Sequence, residues 1–276
     1  MNEMSRDGSR RGLLLVGHGT EDPAGRDEML LVARGVANSY ACPVEPCFLE
    51  LAEPTISQGV TRLHERGAGQ LTVVPLLLFA AGHAKRDIPQ AVETAVGDFP
   101  GLCVGRFAPA LSCHERMLEL SAKRFTEAVR AHPSVAADET HLILVGRGSN
   151  DAEAIAAMRQ FTRLRCDKTP VGSSETCFIA MASPSLKDVI ASVETKLRAT
   201  SIAPAARKPA PRPAPKLVVV QPHLLFRGGL LAQVASVTKA AAARTKNVDW
   251  LVTNHLGPDE LLVRAIVEIA DAASTE

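Results

Sequence analysis

Apolar positions along the chain follow two rhythms. Short, nearly continuous apolar runs, such as LLLV at 13–16 and LTVVPLLL at 71–78, alternate with longer stretches in which apolar residues recur every three or four positions. The runs predict strands over 13–16, 44–49, 71–78 and 102–107. The longer stretches predict helices over 27–38, 54–66 and 114–130. Pro54 is expected in the first turn of its helix with Gly67 as the stop, and a further helix is expected to be capped by Asp87 with Pro89 in its first turn. The pattern restarts at 141–145, passes through four more strand–helix units and ends in a helix over 259–272. Strands without polar alternation belong in parallel sheets covered by helices on both faces. The predicted fold is therefore α/β, with two similar domains that are each a four-stranded parallel sheet flanked by helices. The expected division is 1–137 and 138–276. The segment APAARKPAPRPAP at 203–215 is expected to be an exposed, semi-extended insertion in the second domain.

The two halves match in letters as well as rhythm. LLLVGHGTEDPAG at 13–25 aligns with LILVGRGSNDAEA at 142–154, FLELAEPTI at 48–56 with FIAMASPSL at 178–186, and PLLLFAAGH at 75–83 with PHLLFRGGL at 222–230. Scaffold residues agree: Gly17 with Gly146, Gly19 with Gly148, Pro54 with Pro184, Phe79 with Phe226, Gly82 with Gly229. Residues able to bind a metal or move a proton do not. His18 aligns with Arg147, Glu50 with Ala180 and His83 with Leu230. An internal duplication with one chemically equipped half nominates His18, Glu50 and His83 as the working groups and makes 138–276 a degenerate repeat.

Each residue has a blander reading. His18, between two glycines after a strand, could simply bond a turn carbonyl, and His83 alone is equally ambiguous. Glu50 could form a rim salt bridge with Arg62 or Arg86. Glu53, the competing carboxylate, directly precedes Pro54 and reads as part of the helix start and its cap. Three such groups at the carboxyl ends of successive strands of one sheet nevertheless occupy the place where open α/β sheets bind ligands. Two imidazoles and a carboxylate suit a borderline divalent metal, and they equally suit proton transfer near neutral pH. Lys85 and Arg86 follow His83 and could hold carboxylates of a substrate; Arg26 reads as a solvated face.

Composition narrows the field. The chain has 276 residues, 46% hydrophobic and 22% charged, with a formal net charge of +1. No basic field argues for nucleic acid or an anionic membrane. One Trp and one Tyr leave no aromatic platform for single strands. No apolar run approaches the ~20 residues of a membrane span, and the stretch before Gly17 is too short for a secretion signal, so a cytoplasmic location is expected. The six cysteines form no C-x-x-C pair and read as small buried hydrophobes in a reducing compartment. The phosphate-binding loop motif, the dinucleotide glycine fingerprint and the H-E-x-x-H helix motif are all absent.

VGHGT at 16–20, FLELAEPTI at 48–56 and VVPLLLFAAGHAKRDIP at 73–89 resemble the class II chelatases that insert a divalent metal into sirohydrochlorin, in particular the long, internally duplicated members. The resemblance extends through VGRGSND at 145–151 and PHLLFRGG at 222–229. It implies a chelatase-like fold with a site in the cleft between the domains, and metal ligation by His18, Glu50 and His83. The two histidines would also be catalytic, and Lys85, Arg86 and Arg147 would contact substrate. The implied activity is that of a lyase: sirohydrochlorin ferrochelatase, inserting Fe2+ to give sirohaem. The alternatives are the cobaltochelatase of cobalamin biosynthesis and, from another class, a metal or tetrapyrrole carrier without turnover. No cofactor is expected beyond the metal substrate, Fe2+ or alternatively Co2+ or Ni2+. The expected partners are sirohydrochlorin and that metal, with no nucleic acid or membrane, and the chain is expected to act as a monomer. The C-terminus EIADAASTE carries neither the histidine-rich tail nor the cysteine cluster of some cobalt-inserting members.

Overall fold

In the computed structural model, residues 10–80, 82–202 and 214–275 are described; the side chains of 83, 84, 199–202, 274 and 275 are not. Two four-stranded parallel sheets are built from strands alternating with helices. The first has the order β2-β1-β3-β4, from β1 (Arg11–Gly17), β2 (Val44–Phe48), β3 (Gln70–Pro75) and β4 (Cys103–Phe107). The second has the order β6-β5-β7-β8, from β5 (Thr140–Gly146), β6 (Ser173–Phe178), β7 (Leu217–Pro222) and β8 (Asp249–Val252). The fold class predicted from the sequence is thus the one observed.

Continuous apolar runs became central strands because helices cover both of their faces. Leu13, Leu14, Leu15 and Val16 are fully buried, as are Leu142, Ile143, Leu144 and Val145. At about 25 cal/mol per Å2 of apolar surface, burying one such side chain stabilises by roughly 1.5–3 kcal/mol. The edge strand β4 is mostly exposed, in keeping with its mixed sequence CVGRF. The strand predicted over 71–78 stops earlier. Its ladder to β1 ends at the Val16–Pro75 pair, and Leu77 N–H turns back to the Pro75 carbonyl at 2.9 Å.

Three helix starts differ from the sequence expectation. Helix α1 (Pro23–Ser39) begins at its Asp22 cap, whose side chain accepts from Ala24 N–H. Helix α2 (Ile56–Glu65) is capped by Thr55 in a reciprocal box with Gln58, so neither Pro54 nor Glu53 opens it. A hydroxyl at the cap accepts from the third helical N–H while the amide returns to the cap's own N–H. Helix α3 (Gly82–Gly97) starts before Asp87 and carries Pro89 in its interior. Proline there forfeits one helical hydrogen bond, while Ile88 and Val92, only 1% and 0% exposed, anchor the helix in the core with Leu71 and Val73.

The compact units do not follow the cut at 137/138. One holds the chain up to Leu120 with 225–228 and the segment from Gly257 onward; the other holds Ser121–Leu224 and Gly229–Leu256. Packing explains the exchange. The last helix, α8 (Glu260–Thr275), lies against α1, β3 and β4 of the first unit, and Gly35 of α1 sits directly against Val263. The later part of α4 (Glu115–Val129) serves the second unit. Phe125 packs with Leu142, Leu217 and Val219, and Gln221 Nε2 donates to the Ser121 carbonyl at 2.7 Å. Most of the insertion at 203–215 lies outside the described residues.

Candidate functional site

In the first sheet β1 is flanked by β2 and β3. The chain leaves β1 toward one side and later returns to the other, so the strand order reverses beside β1. Crevices at the carboxyl ends of strands form at such reversals. His18 directly follows β1, Glu50 is two residues past β2, and His83 is the second residue of α3, reached from β3. The sequence-nominated positions therefore share one sheet edge.

The connections at this edge are tight. Leu49 N–H donates to the Gly17 carbonyl at 2.9 Å and Glu50 N–H to the His18 carbonyl at 3.1 Å. Gly19 has φ +107°, and a β-carbon there would lie 1.7 Å from the Glu50 carbonyl oxygen. The second glycine of G-H-G is thus required by the close approach of the Glu50 backbone, in a conformation that only glycine takes cheaply. The short excursion after β2 is closed by Phe48 N–H donating to the Pro54 carbonyl at 2.8 Å, which leaves Glu50 and Leu51 at its tip.

His18 Nδ1 lies 3.3 Å from Glu50 Oε1, the imidazole 28% and the carboxylate 54% exposed. Among the described residues His18 is the side-chain partner of Glu50; Arg62 and Arg86 are not. Two donors bound to one ion at ~2.1 Å, at close to the tetrahedral angle, stand about 3.4 Å apart. The observed spacing thus admits a shared cation as readily as a direct contact of the two side chains. No group of three His, Cys, Asp or Glu side chains converges among the described residues. The His83 side chain lies outside them, so the third member of the trio is placed only by its backbone. Lys85 and Arg86 are exposed in the first turns of α3. The Arg86 guanidinium folds back toward Gly82, 3.6 Å from where a β-carbon would sit.

The second unit reproduces this frame. Ile179 N–H donates to the Gly146 carbonyl and Ala180 N–H to the Arg147 carbonyl, each at 3.0 Å, and Phe178 N–H closes the excursion on the Pro184 carbonyl, also at 3.0 Å. Gly148 has φ +95°, with the Ala180 carbonyl 1.8 Å from a built β-carbon. On it stand an exposed Arg147, Ala180 and, second in α7 (Gly229–Arg244), Leu230. The sequence comparison paired these positions correctly but missed Leu51 and Met181. Both are exposed apolar residues at the loop tips with positive φ, and an apolar letter in the same loop of both copies was the available signal.

Buried titratable groups concentrate in the second unit. His223 is 1% exposed and packs on Phe161 at 4.1 Å; burial pushes its imidazole down to about 3. His141 is lowered by burial, with Glu175 opposing. Arg165 is buried with its guanidinium over the Phe125 ring, and desolvation lowers it to about 10. Among the cysteines, Cys42, Cys47 and Cys177 are buried as expected, whereas Cys103 is exposed and Cys113 and Cys166 are intermediate. Burial raises the thiol of Cys177 to about 12 and that of its counterpart Cys47 further still. Among the described residues no helix is long and apolar enough to cross a membrane.

The fold is a duplicated parallel α/β unit with an imidazole–carboxylate contact at one sheet's carboxyl edge. The CbiX family model matches residues 12–128 and again 141–273, and the chain belongs to that family. It is 30% identical over 247 residues to the sirohydrochlorin ferrochelatase of Priestia megaterium, covering 89% of this chain and 84% of the relative. It is 29% identical over 247 residues to the sirohydrochlorin cobaltochelatase of the same organism, covering 90% and 74%. The solved structure of SirB from Bacillus subtilis with Fe3+ superposes with a TM-score of 0.79 over 96% of each chain at 24% identity, a likeness of fold.

Proposed function

We propose that this protein is a sirohydrochlorin chelatase, a lyase that inserts a divalent metal into sirohydrochlorin, with Fe2+ as its substrate and sirohaem as its product. The observation that carries the reading is the 3.3 Å approach of His18 to Glu50 at the carboxyl edge of the first sheet, in a chain of this family. In this reading His18, Glu50 and His83 bind the incoming metal. Insertion must release two N–H protons from the macrocycle. A neutral histidine can ligate the cation or accept a proton, and His18 and His83 share both tasks. Glu50 adds the negative charge that favours the cation. Lys85, Arg86 and Arg147 hold substrate carboxylates.

Cobalt insertion is the second reading, supported by the similarity to the Priestia megaterium cobaltochelatase. Ligand type hardly separates Fe2+ from Co2+, so metal supply decides between them. The reading extends to a cytoplasmic monomer with one site per chain and no cofactor besides the metal substrate. An anaerobic absorbance time course of sirohydrochlorin with Fe2+, Co2+ or Ni2+, with and without the protein, tests it. Multiple turnovers with iron are expected. Tight binding of one equivalent without turnover would instead identify a carrier, and turnover with cobalt alone would select the second reading.

A further inference from the structure

Leu51 is unusual in two independent ways. It is 60% exposed, one of the exposed large apolar side chains among the described residues together with Leu31, Phe107 and Met181. It also has φ +62°, and among the described residues the non-glycine positions of positive φ are Leu51, Ser112 and Met181. A single exposed leucine is ordinary. A leucine in the left-handed region is not, because its β-carbon meets the backbone there and glycine would take the same conformation without strain. Strain of this kind persists where the surrounding structure enforces it and collects at ligand sites. Here the loop is held shut by Phe48 and Pro54 and pinned to His18 through Glu50 N–H, so the apolar side chain is held out into solvent one residue beyond a metal-handling carboxylate.

The internal repeat separates this feature from the metal chemistry. The second unit has Ala180 where the first has Glu50, and Arg147 where it has His18, yet Met181 stands at the tip of the matching loop. Met181 is 59% exposed with φ +60°, inside a turn closed by Ala182 N–H on the Ala180 carbonyl at 2.7 Å. An exposed apolar tip in a strained conformation therefore stands in both units, with and without the neighbouring carboxylate. It calls for an apolar ligand surface.

We propose that Leu51 is a binding residue for the macrocycle: its side chain packs on the apolar face of the tetrapyrrole ring and holds the ring plane beside the metal-handling pair. This rests on the chelatase reading and names how its substrate is gripped. Such contact acts equally on ground state and transition state, so it sets KM and leaves kcat in place.

The test uses the full chain with Leu51→Gly, Leu51→Asn and Leu51→Met. Metal-free sirohydrochlorin is titrated by its fluorescence, Co2+ is titrated separately, and insertion kinetics are recorded. Leu51→Gly and Leu51→Asn are expected to weaken sirohydrochlorin binding about tenfold, from the apolar area lost, with KM rising in parallel and kcat within about twofold. Cobalt binding should be unchanged. Leu51→Met, the residue of the matching position, should retain binding within about threefold. Thermal melts should show Leu51→Gly at least as stable as the parent, since it relieves strain. Unchanged sirohydrochlorin affinity in Leu51→Gly and Leu51→Asn would overturn the proposal, as would light scattering in which Leu51→Asn dissolves a dimer of the parent. If the parent chain neither binds nor metallates sirohydrochlorin, the chelatase reading itself fails, an outcome distinct from a parent that works and variants that match it.

Discussion

The two units place the same backbone under different chemistry. After β1 and after β5 the chain makes the same pair of hydrogen bonds to the loop of the neighbouring strand. Each turn needs a glycine whose β-carbon would collide with a carbonyl. Each neighbouring loop closes on a proline carbonyl, and each tip residue has positive φ. On this common frame the first unit sets His18 against Glu50 at 3.3 Å, whereas the second carries Arg147 and Ala180. The frame is thus present both with and without the His18–Glu50 pair. It is a way of bringing two loops together, and side chains alone decide what they then do.

The comparison breaks most sharply at the His18–Glu50 pair. His18→Ala and Glu50→Gln are each expected to lower the insertion rate at least 100-fold, while Arg147→Ala should cost no more than about tenfold through KM. Steady-state kinetics on the three variants decide; equal damage from Arg147→Ala and His18→Ala would end the idea of one equipped unit.

The glycines should behave alike where the histidine and arginine do not. Gly19→Ala and Gly148→Ala each drive a β-carbon to within 2 Å of a carbonyl oxygen at positive φ. Each is expected to cost about 3 kcal/mol in urea unfolding. Only Gly19→Ala should also abolish insertion in the fraction that stays folded.

A third contrast lies at His223, which aligns with the buried Leu76. The folded state holds this imidazole neutral, at about 3, whereas the unfolded chain protonates near the ordinary histidine value. Between these values the unfolded state binds more protons, so stability is full above pH ~6.5 and is lost as the pH falls toward 3. His223 alone should remove roughly 2 kcal/mol between pH 7 and pH 5. His223→Leu, which copies the first unit, should abolish that part of the loss in urea melts at the two pH values. The smaller loss that remains should carry the same sign from His141.

The smallest expected effect tests the helix starts. Thr55 and Ser185 occupy matching caps, Ser185 exchanging hydrogen bonds with Asp188 at 2.7–3.2 Å. Thr55→Ala and Ser185→Ala should each cost about 1 kcal/mol. Glu53→Gln should be near neutral in stability and in metal binding.

Much of this was legible in the letters. The apolar runs at 13–16 and 142–145 identified buried parallel strands because a strand covered on both faces has no polar alternation to show. Alignment of the halves singled out His18, Glu50 and His83 because a duplication holds the scaffold fixed while the chemistry varies. Local capping was harder to read. Thr55 and Gln58 spell a capping box, but the adjacent Pro54 is an equally good helix-start signal, and only the hydrogen bonds discriminate.

Tertiary packing decided what spacing along a chain cannot encode. Helix α8 covers the first sheet and the later part of α4 serves the second. A helix's apolar stripe specifies that it must be buried, not against which of two similar sheets. The approach of the Glu50 carbonyl to Gly19 and the outward-held Leu51 arise because two loops, thirty residues apart in sequence, close on each other over adjacent parallel strands. The sequence by itself determined which groups could do chemistry. The pairing of β1 with β2 decided that His18 and Glu50 would meet, because a parallel register fixes the separation of two strand ends to within a residue.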